Sequence, residues 1–215
     1  MKALNVNTLT LRYGAHGSDS PEYCLLEAVS VYCPVAGGLR IEDVTKTDHP
    51  ADVDPVLAAF GRSWNDGLPS DAERNTHLKR YIPRLCNTNR GAALSERRSW
   101  MVLDWLVRVH LPAWLDLTPS LEPHAKSLRE CQEIASVAGA KAAQSCISAA
   151  RAAAWAAAGA AAGDAAGDAA GAAAGDAAWA ALWAAAGDAL APTVVTLQSS
   201  AHDLYSRMID AEVPA

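Results

Sequence analysis

Apolar residues recur at helical spacing in several separate stretches, and the polar residues between them supply start and stop signals. Ser20-Pro21-Glu22 reads as a helix start, followed by Leu25, Leu26, Val29, Tyr32 and Cys33 on one face, with Pro34 and Gly37-Gly38 as the stop. Asp54-Pro55 opens a second helix with Leu57, Phe60 and Trp64 turned inward, closing near Gly67. Ser70-Asp71-Ala72-Glu73 is a capping box for a third helix through Leu78 and Tyr81, with Pro83 as its kink or end. Ser95–Leu111 is apolar nearly all round, which predicts a central helix stopped by Pro112. Its polar strip holds Arg97, Asp104 and Arg108, the last two an i,i+4 pair. Thr118-Pro119 starts a fifth helix carrying Leu121, Leu128 and Cys131. Near the N-terminus the spacing changes: Leu4, Val6, Leu9, Leu11 and Tyr13 alternate loosely, which predicts a short strand or hairpin.

From residue 133 large apolar side chains almost vanish. Between Arg151 and Ala191 the chain repeats a tetrad: a variable residue, then Ala or Asp, then two Ala. The variable position holds Arg151, Trp155, Gly159, Gly163, Gly167, Gly171, Gly175, Trp179, Trp183 and Gly187. Alanine content predicts helix. A four-residue period turns about 400° in an α-helix, so the variable row forms an i+4 ridge drifting about 40° per repeat. Five consecutive glycines at roughly 1 kcal/mol each cost on the order of 5 kcal/mol in a lone helix. A close-packed neighbour is therefore expected along Gly159–Gly175, since small residues every fourth position let two helix backbones approach. Either one long helix or a hairpin turning near residues 163–172 satisfies the pattern, because Gly163-Asp164, Gly167-Asp168 and Gly175-Asp176 each resemble a C′ glycine followed by an N-cap aspartate. Trp155, Trp179 and Trp183 either pack on a core or partner helix or stand out as anchors for a partner. Pro192 ends or kinks the repeat. A C-terminal helix, Thr193–Asp210, then carries Val194, Leu197, Ala201, Leu204, Tyr205 and Met208 on one face.

The pattern amounts to an all-α chain: a helical bundle over residues 1–132 with a short N-terminal β strand or hairpin, an Ala/Gly tetrad region over 133–191, and a C-terminal helix over 192–215 that docks on the rest. Charge sharpens the division. Of 18 Lys+Arg, only Lys141, Arg151 and Arg207 lie beyond residue 132, against eight Asp and Glu there. An acidic tract lacks the cationic surface that phosphate binding requires, so nucleic acid is not an expected partner. No stretch is long and apolar enough for a membrane helix, and no leader-like apolar segment follows Met1. The five cysteines are odd in number and form no CxxC pair, so reduced thiols and a cytoplasmic setting are the expectation.

Candidate chemistry is sparse. Cys24 lies at the start of the first helix, where the helix dipole would lower a thiol pKa, and His49 beside Asp48 supplies the partner types for a thiol nucleophile, with His16 nearby. A core cysteine and loop histidines account for the same residues. Zinc held by Cys24, Cys33, His16 and His49 would need spacings that match no standard finger. Lys79, Arg80, Arg84 and Arg90 form a basic run suited to a solvated face or an anionic partner. Walker, GxGxxG, HExxH and GxSxG motifs do not occur, and no cofactor or metal is implied.

The tract RAAAWAAAGAAAGDAAGDAAGAAAGDAAWAALWAAAGDALAPTV (151–194) resembles the Ala-Trp-Gly-Asp tetrad tracts of uncharacterised actinobacterial and actinobacteriophage proteins. The resemblance extends to NVNTLTLRYGAHGSDSPEYCLLEAVS (5–30), DHPADVDPVLAAFGRSWNDGLP (48–69), LKRYIPRL (78–85), AWLDL (113–117) and LAPTVVTLQSSAHDLYSRMID (190–210). It implies a phage or prophage origin and assigns no activity. Residues and resemblance together favour a non-enzymatic, phage-encoded protein that binds a host or self partner, with a homodimer as one form, through Gly159, Gly163, Gly167, Gly171, Gly175, Trp155, Trp179 and Trp183. The alternatives are a small cysteine-dependent enzyme built on Cys24, His49 and Asp48, and an assembly protein that self-associates through the repeat.

Overall fold

The computed structural model describes residues 5–169 and 176–212, with side chains described outside 159–189. The chain is 67% helical, and no strand occurs among the described residues, so the architecture is all-α. Its helices are α1 (Leu25–Ala36), α2 (Pro55–Gly67), α3 (Asp71–Leu78), α4 (Ala92–Trp105), α5 (Leu111–Leu115), α6 (Glu122–Arg129), α7 (Val137–Ala169) and α8 (Asp176–Ile209). Two units emerge, one of residues up to Ser99 together with those from Tyr205 onward, the other Trp100–Leu204. Residue 132, where the composition changes, falls inside the second.

In the first unit the predicted N-terminal strand is corrected. Residues around Leu11 make a single parallel bridge to Tyr23 and no ladder. A lone alternating run has no second run to pair with, and its backbone groups are met by other means. The Arg12 N–H donates to the Tyr23 carbonyl at 2.8 Å, and the Leu11 N–H to Asn75 Oδ1 at 3.0 Å. Helix α1 starts at Leu25 rather than Pro21, because Cys24 is extended and the buried Glu27 carboxylate reaches back to the Cys24 N–H at 2.8 Å. It also runs through Pro34 before Gly37 closes it.

The next two starts follow the sequence signals. Asp54 Oδ1 accepts from the Val56 and Leu57 N–H groups, and Ser70 Oγ accepts from the Glu73 N–H. Phe60, Trp64 and Tyr81 gather around Tyr205, with ring centroids 5.4, 5.9 and 4.8 Å from it. The Tyr205 hydroxyl donates to the Leu57 carbonyl at 3.0 Å. Gly61 makes room for it: a Cβ there would stand 2.6 Å from Tyr205 Oη. The same unit holds an ion pair that no local pattern announces. Arg98 Nη1 and Asp54 Oδ2 are 2.9 Å apart, and both side chains are fully buried. Arg98 also donates to the Met208 and Thr88 carbonyls, and Ser95 Oγ donates to Asp54 Oδ2. The pair thus ties the cap of α2 to α4 and to the end of α8.

The expectation of uniformly reduced thiols is also corrected: Cys33 and Cys86 form a disulfide, with Cα atoms 5.4 Å apart, while Cys24, Cys131 and Cys146 are free. Sequence spacing is blind to this pair because 53 residues separate them.

In the second unit Pro112 does not stop the apolar helix. A π turn over Leu106–His110, closed by the Leu111 N–H on the Leu106 carbonyl, leads directly into α5. Pro112, which has no N–H to offer, is buried in the first turn of α5, where none is required. Nor is this segment buried on all sides. Trp105 and Val107 are buried, but Leu106, Val109, Leu111 and Trp114 are 36–40% exposed. The core here is thin: Val107, Leu128, Ile134, Ala143 and Ala150, flanked by half-buried residues including Trp100, Leu103 and Leu115. Asp104 secures it by accepting from the Ile134 N–H at 2.8 Å and pairing with Arg108 at 3.1 Å, the i,i+4 pair expected.

Helix α7 has 33 residues, which makes it about 50 Å long. Gly163-Asp164 and Gly167-Asp168 lie inside it, so neither pair ends a helix. Gly171 and Gly175 lie outside the described residues. Helix α8 runs through Pro192, so of the end or kink expected there the end does not occur. Its buried face is Leu197, Ala201, Leu204, Tyr205 and Met208, as the spacing predicts, whereas Val194 is 41% exposed. No described helix is long and apolar enough to cross a membrane.

Candidate functional site

A groove of about 520 Å³ opens in the second unit where α5, α6 and the middle of α7 meet. Leu111 and Leu115 come from α5, Leu128 from α6, and Ile147, Ala150, Arg151, Ala154, Trp155 and Ala158 from α7. Two i+4 rows of α7 explain this membership. Ala150, Ala154 and Ala158 form one row, whose small side chains leave the space open. Ile147, Arg151 and Trp155 form the other, which is the start of the tetrad's variable row and leads on to Gly159. The periodicity seen in the sequence therefore runs along an apolar recess.

Trp155 is 70% exposed. Most of its apolar ring is in water, although it lines the groove. Among the described residues that line the groove, Arg151 is the charged one. The exposed Leu106, Val109, Leu111, Trp114 and Leu117 extend the apolar character over residues 106–117 of the same unit. An apolar recess of this kind, rather than singly exposed apolar residues, is what marks an interaction site.

The remaining sequence candidates fare as follows. Cys24 is buried, and burial pushes its thiol up to about 12, opposite to the lowering expected at a helix start. Glu27 adds to the rise as a nearby negative charge. His16 Nδ1 is bound to Glu27 Oε2 at 2.9 Å, and His49 Nδ1 to Asp48 Oδ1 at 2.6 Å on an exposed loop. Among the described residues no hydrogen bond joins Cys24 to either histidine. Cys33, the other thiol of the zinc alternative, is taken by Cys86. The basic run is shared out rather than massed. Arg84 donates to Ser206 Oγ and to both oxygens of Asp210 at 3.0 Å. Arg84 and Arg90 line a second recess of about 380 Å³ together with Asp210 and Glu212, so charges of both signs face it. Gly159, Gly163 and Gly167 are helical positions in α7, and Trp179 and Trp183 are helical positions in α8.

Sequence reasoning missed Leu111, Leu115 and Leu128 as groove residues. Pro112 was read as a stop, although the apolar spacing continues across it to Leu115 and Leu117. That continuation was the signal available.

No protein-family model matches the chain, and comparisons with curated proteins and with solved structures return no match.

Proposed function

We propose that this is a non-enzymatic binding protein, phage-encoded, that takes a partner helix into the groove beside Trp155. The observation that carries this reading is the coincidence of the tetrad's variable row with an open apolar recess. The row's large side chain, Trp155, stands in solvent, and the neighbouring row of alanines leaves space that an incoming helix would fill.

The occupant we commit to is the tetrad helix of a second copy. Its chemistry is complementary to the groove. It offers Ala and Gly for close approach, Trp and Leu to fill the recess, and aspartates to meet Arg151. Helix against helix over small residues would also supply the neighbour that the glycine cost demands. Residues 133–191 act in this proposal as the association segment, and residues 192–215 as the helix that returns to the remainder of the chain. A bacterial host follows from the sequence resemblance. The Cys33–Cys86 bond sits poorly with a reducing cytoplasm, so the proposal names no compartment.

Light scattering on the full chain tests it. A mass near twice that of one chain is expected, falling to one chain for Trp155→Ala. A single-chain mass that is the same for both proteins over all concentrations would overturn self-association. Capture of a host protein that depends on Trp155 would then move the occupant to the host.

A further inference from the structure

Two of the three free thiols lie together on the core side of the second unit. Cys131 follows the end of α6, and Cys146 sits in the third turn of α7. Ser127 bridges them: its hydroxyl donates to Cys146 Sγ at 3.4 Å, and its carbonyl accepts from Cys131 Sγ at 3.5 Å. Both sulfurs therefore lie within hydrogen-bonding reach of one residue, Ser127. Both cysteines are half-buried and pack against the same small core, so solvent reaches them while their positions are held.

We propose that Cys146 and Cys131 form a thiol–disulfide exchange site for a low-molecular-weight disulfide, with Cys146 the attacking thiol and Cys131 the resolving one. The assignment of roles follows from the surroundings. A hydroxyl pointing at Cys146 Sγ favours its thiolate, and the Cys146 pKa is lowered, first by Ser127 and then by Cys131. Cys131 is raised, first by burial and then by its neighbour Cys146, with Arg108 acting in the other direction. An attacking thiolate beside a protonated second thiol is the arrangement that exchange requires.

The reaction balances without any further reagent. The Cys146 thiolate attacks one sulfur of a small disulfide RSSR, forming Cys146–S–S–R and releasing RS⁻. Cys131 then loses its proton to solvent and attacks Cys146 Sγ. The Cys131–Cys146 bond forms, the Cys146–SR bond breaks, and the second RS⁻ leaves. Two protein thiols are oxidised, the small disulfide is reduced to two thiols, and the protons lost by the cysteines end on those thiols. The product links the end of α6 to α7 beside Leu128 and Ile147, which line the groove. The other cysteines do not compete: Cys24 is buried with a raised pKa, and Cys33 and Cys86 already hold each other.

The test exposes the full chain, with Cys33–Cys86 intact, to oxidised glutathione and maps cysteines by mass spectrometry without reduction. The expected product has lost two hydrogens and gives a Cys131–Cys146 linked peptide. Cys131→Ser should stop at glutathione carried on Cys146, and Ser127→Ala should slow the attack by about tenfold. A stable glutathione adduct on wild-type Cys146 with no link to Cys131, or modification of Cys24 ahead of Cys146, would overturn the proposal. The wild-type map depends on no substitution, so a variant that folds poorly does not leave the question open. Its outcome is also separate from partner binding, since it reads sulfur chemistry alone.

Discussion

Helices α2 and α7 present their small residues in opposite ways. In α2, Gly61 is small because Tyr205 already fills the space above it. In α7, Ala150 is buried in the core, but Ala154 and Ala158 on the same row are small and the space beside them stays open. The same contrast runs through the two units. Around α2 the aromatic rings are mutually packed, and the buried ion pair has hydrogen-bond partners on α4 and α8. Around α7 the core is a handful of side chains, and a tryptophan stands in water. Small side chains thus have two meanings, a contact already made and a contact still to be made, and only the neighbours tell them apart.

The largest expected effect breaks the comparison at its charged residues. Arg98→Ala leaves the Asp54 carboxylate buried without its cation, which should cost about 3–5 kcal/mol. In the single chain, at concentrations below self-association, Arg151→Ala removes a solvated charge and should change stability by less than about 0.5 kcal/mol. Denaturant midpoints of the two variants measure the difference; equal losses would mean that the two units do not differ as described.

Much of the first unit was legible because its signals are local. Asp54, Ser70 and the apolar spacing from Leu57 to Trp64 state their helices within a few residues. The Asp54–Arg98 pair and the Cys33–Cys86 bond were not legible, because partners 44 or more residues apart leave no periodic trace. The run from Leu106 to Leu117 was misread for a different reason. Proline is a stop only where an N–H is needed, and the π turn moves Pro112 to a position where none is. In the tetrad tract the helix was legible from alanine, yet the groove was not, since its other wall comes from α5 and α6.

Next in size is Gly61→Ala. Its Cβ would meet Tyr205 Oη at 2.6 Å and Leu25 Cδ2 at 3.0 Å, and relieving that overlap should cost about 1–3 kcal/mol. The matching change in α7, Ala154→Gly, enlarges a recess that is open in the single chain, and below the self-association concentration it should cost only its helix propensity, about 1 kcal/mol. Thermal unfolding of both variants compares a filled site with an empty one.

The smallest effect is electrostatic. Asp71 lies in the first turn of α3, and a hydrogen bond from Arg12, aided by Arg74, holds its carboxyl below the usual carboxylate range. A carboxyl depressed in the folded state adds stability above its unfolded pKa and loses it as pH falls through the folded one. Asp71→Asn should therefore lower the denaturant midpoint slightly at neutral pH, and the difference should vanish in acid. A difference that persists in acid would assign Asp71 a role other than its charge.

The account rests on the claim that the open face of α7 is covered by another chain. Amide hydrogen exchange over residues 147–158, followed as protein concentration rises, tests this most directly. Protection that increases with concentration in the wild type, and stays flat in Trp155→Ala, is the predicted result. Strong protection in the wild type that is independent of concentration would contradict it, and would place the neighbour of α7 within the same chain.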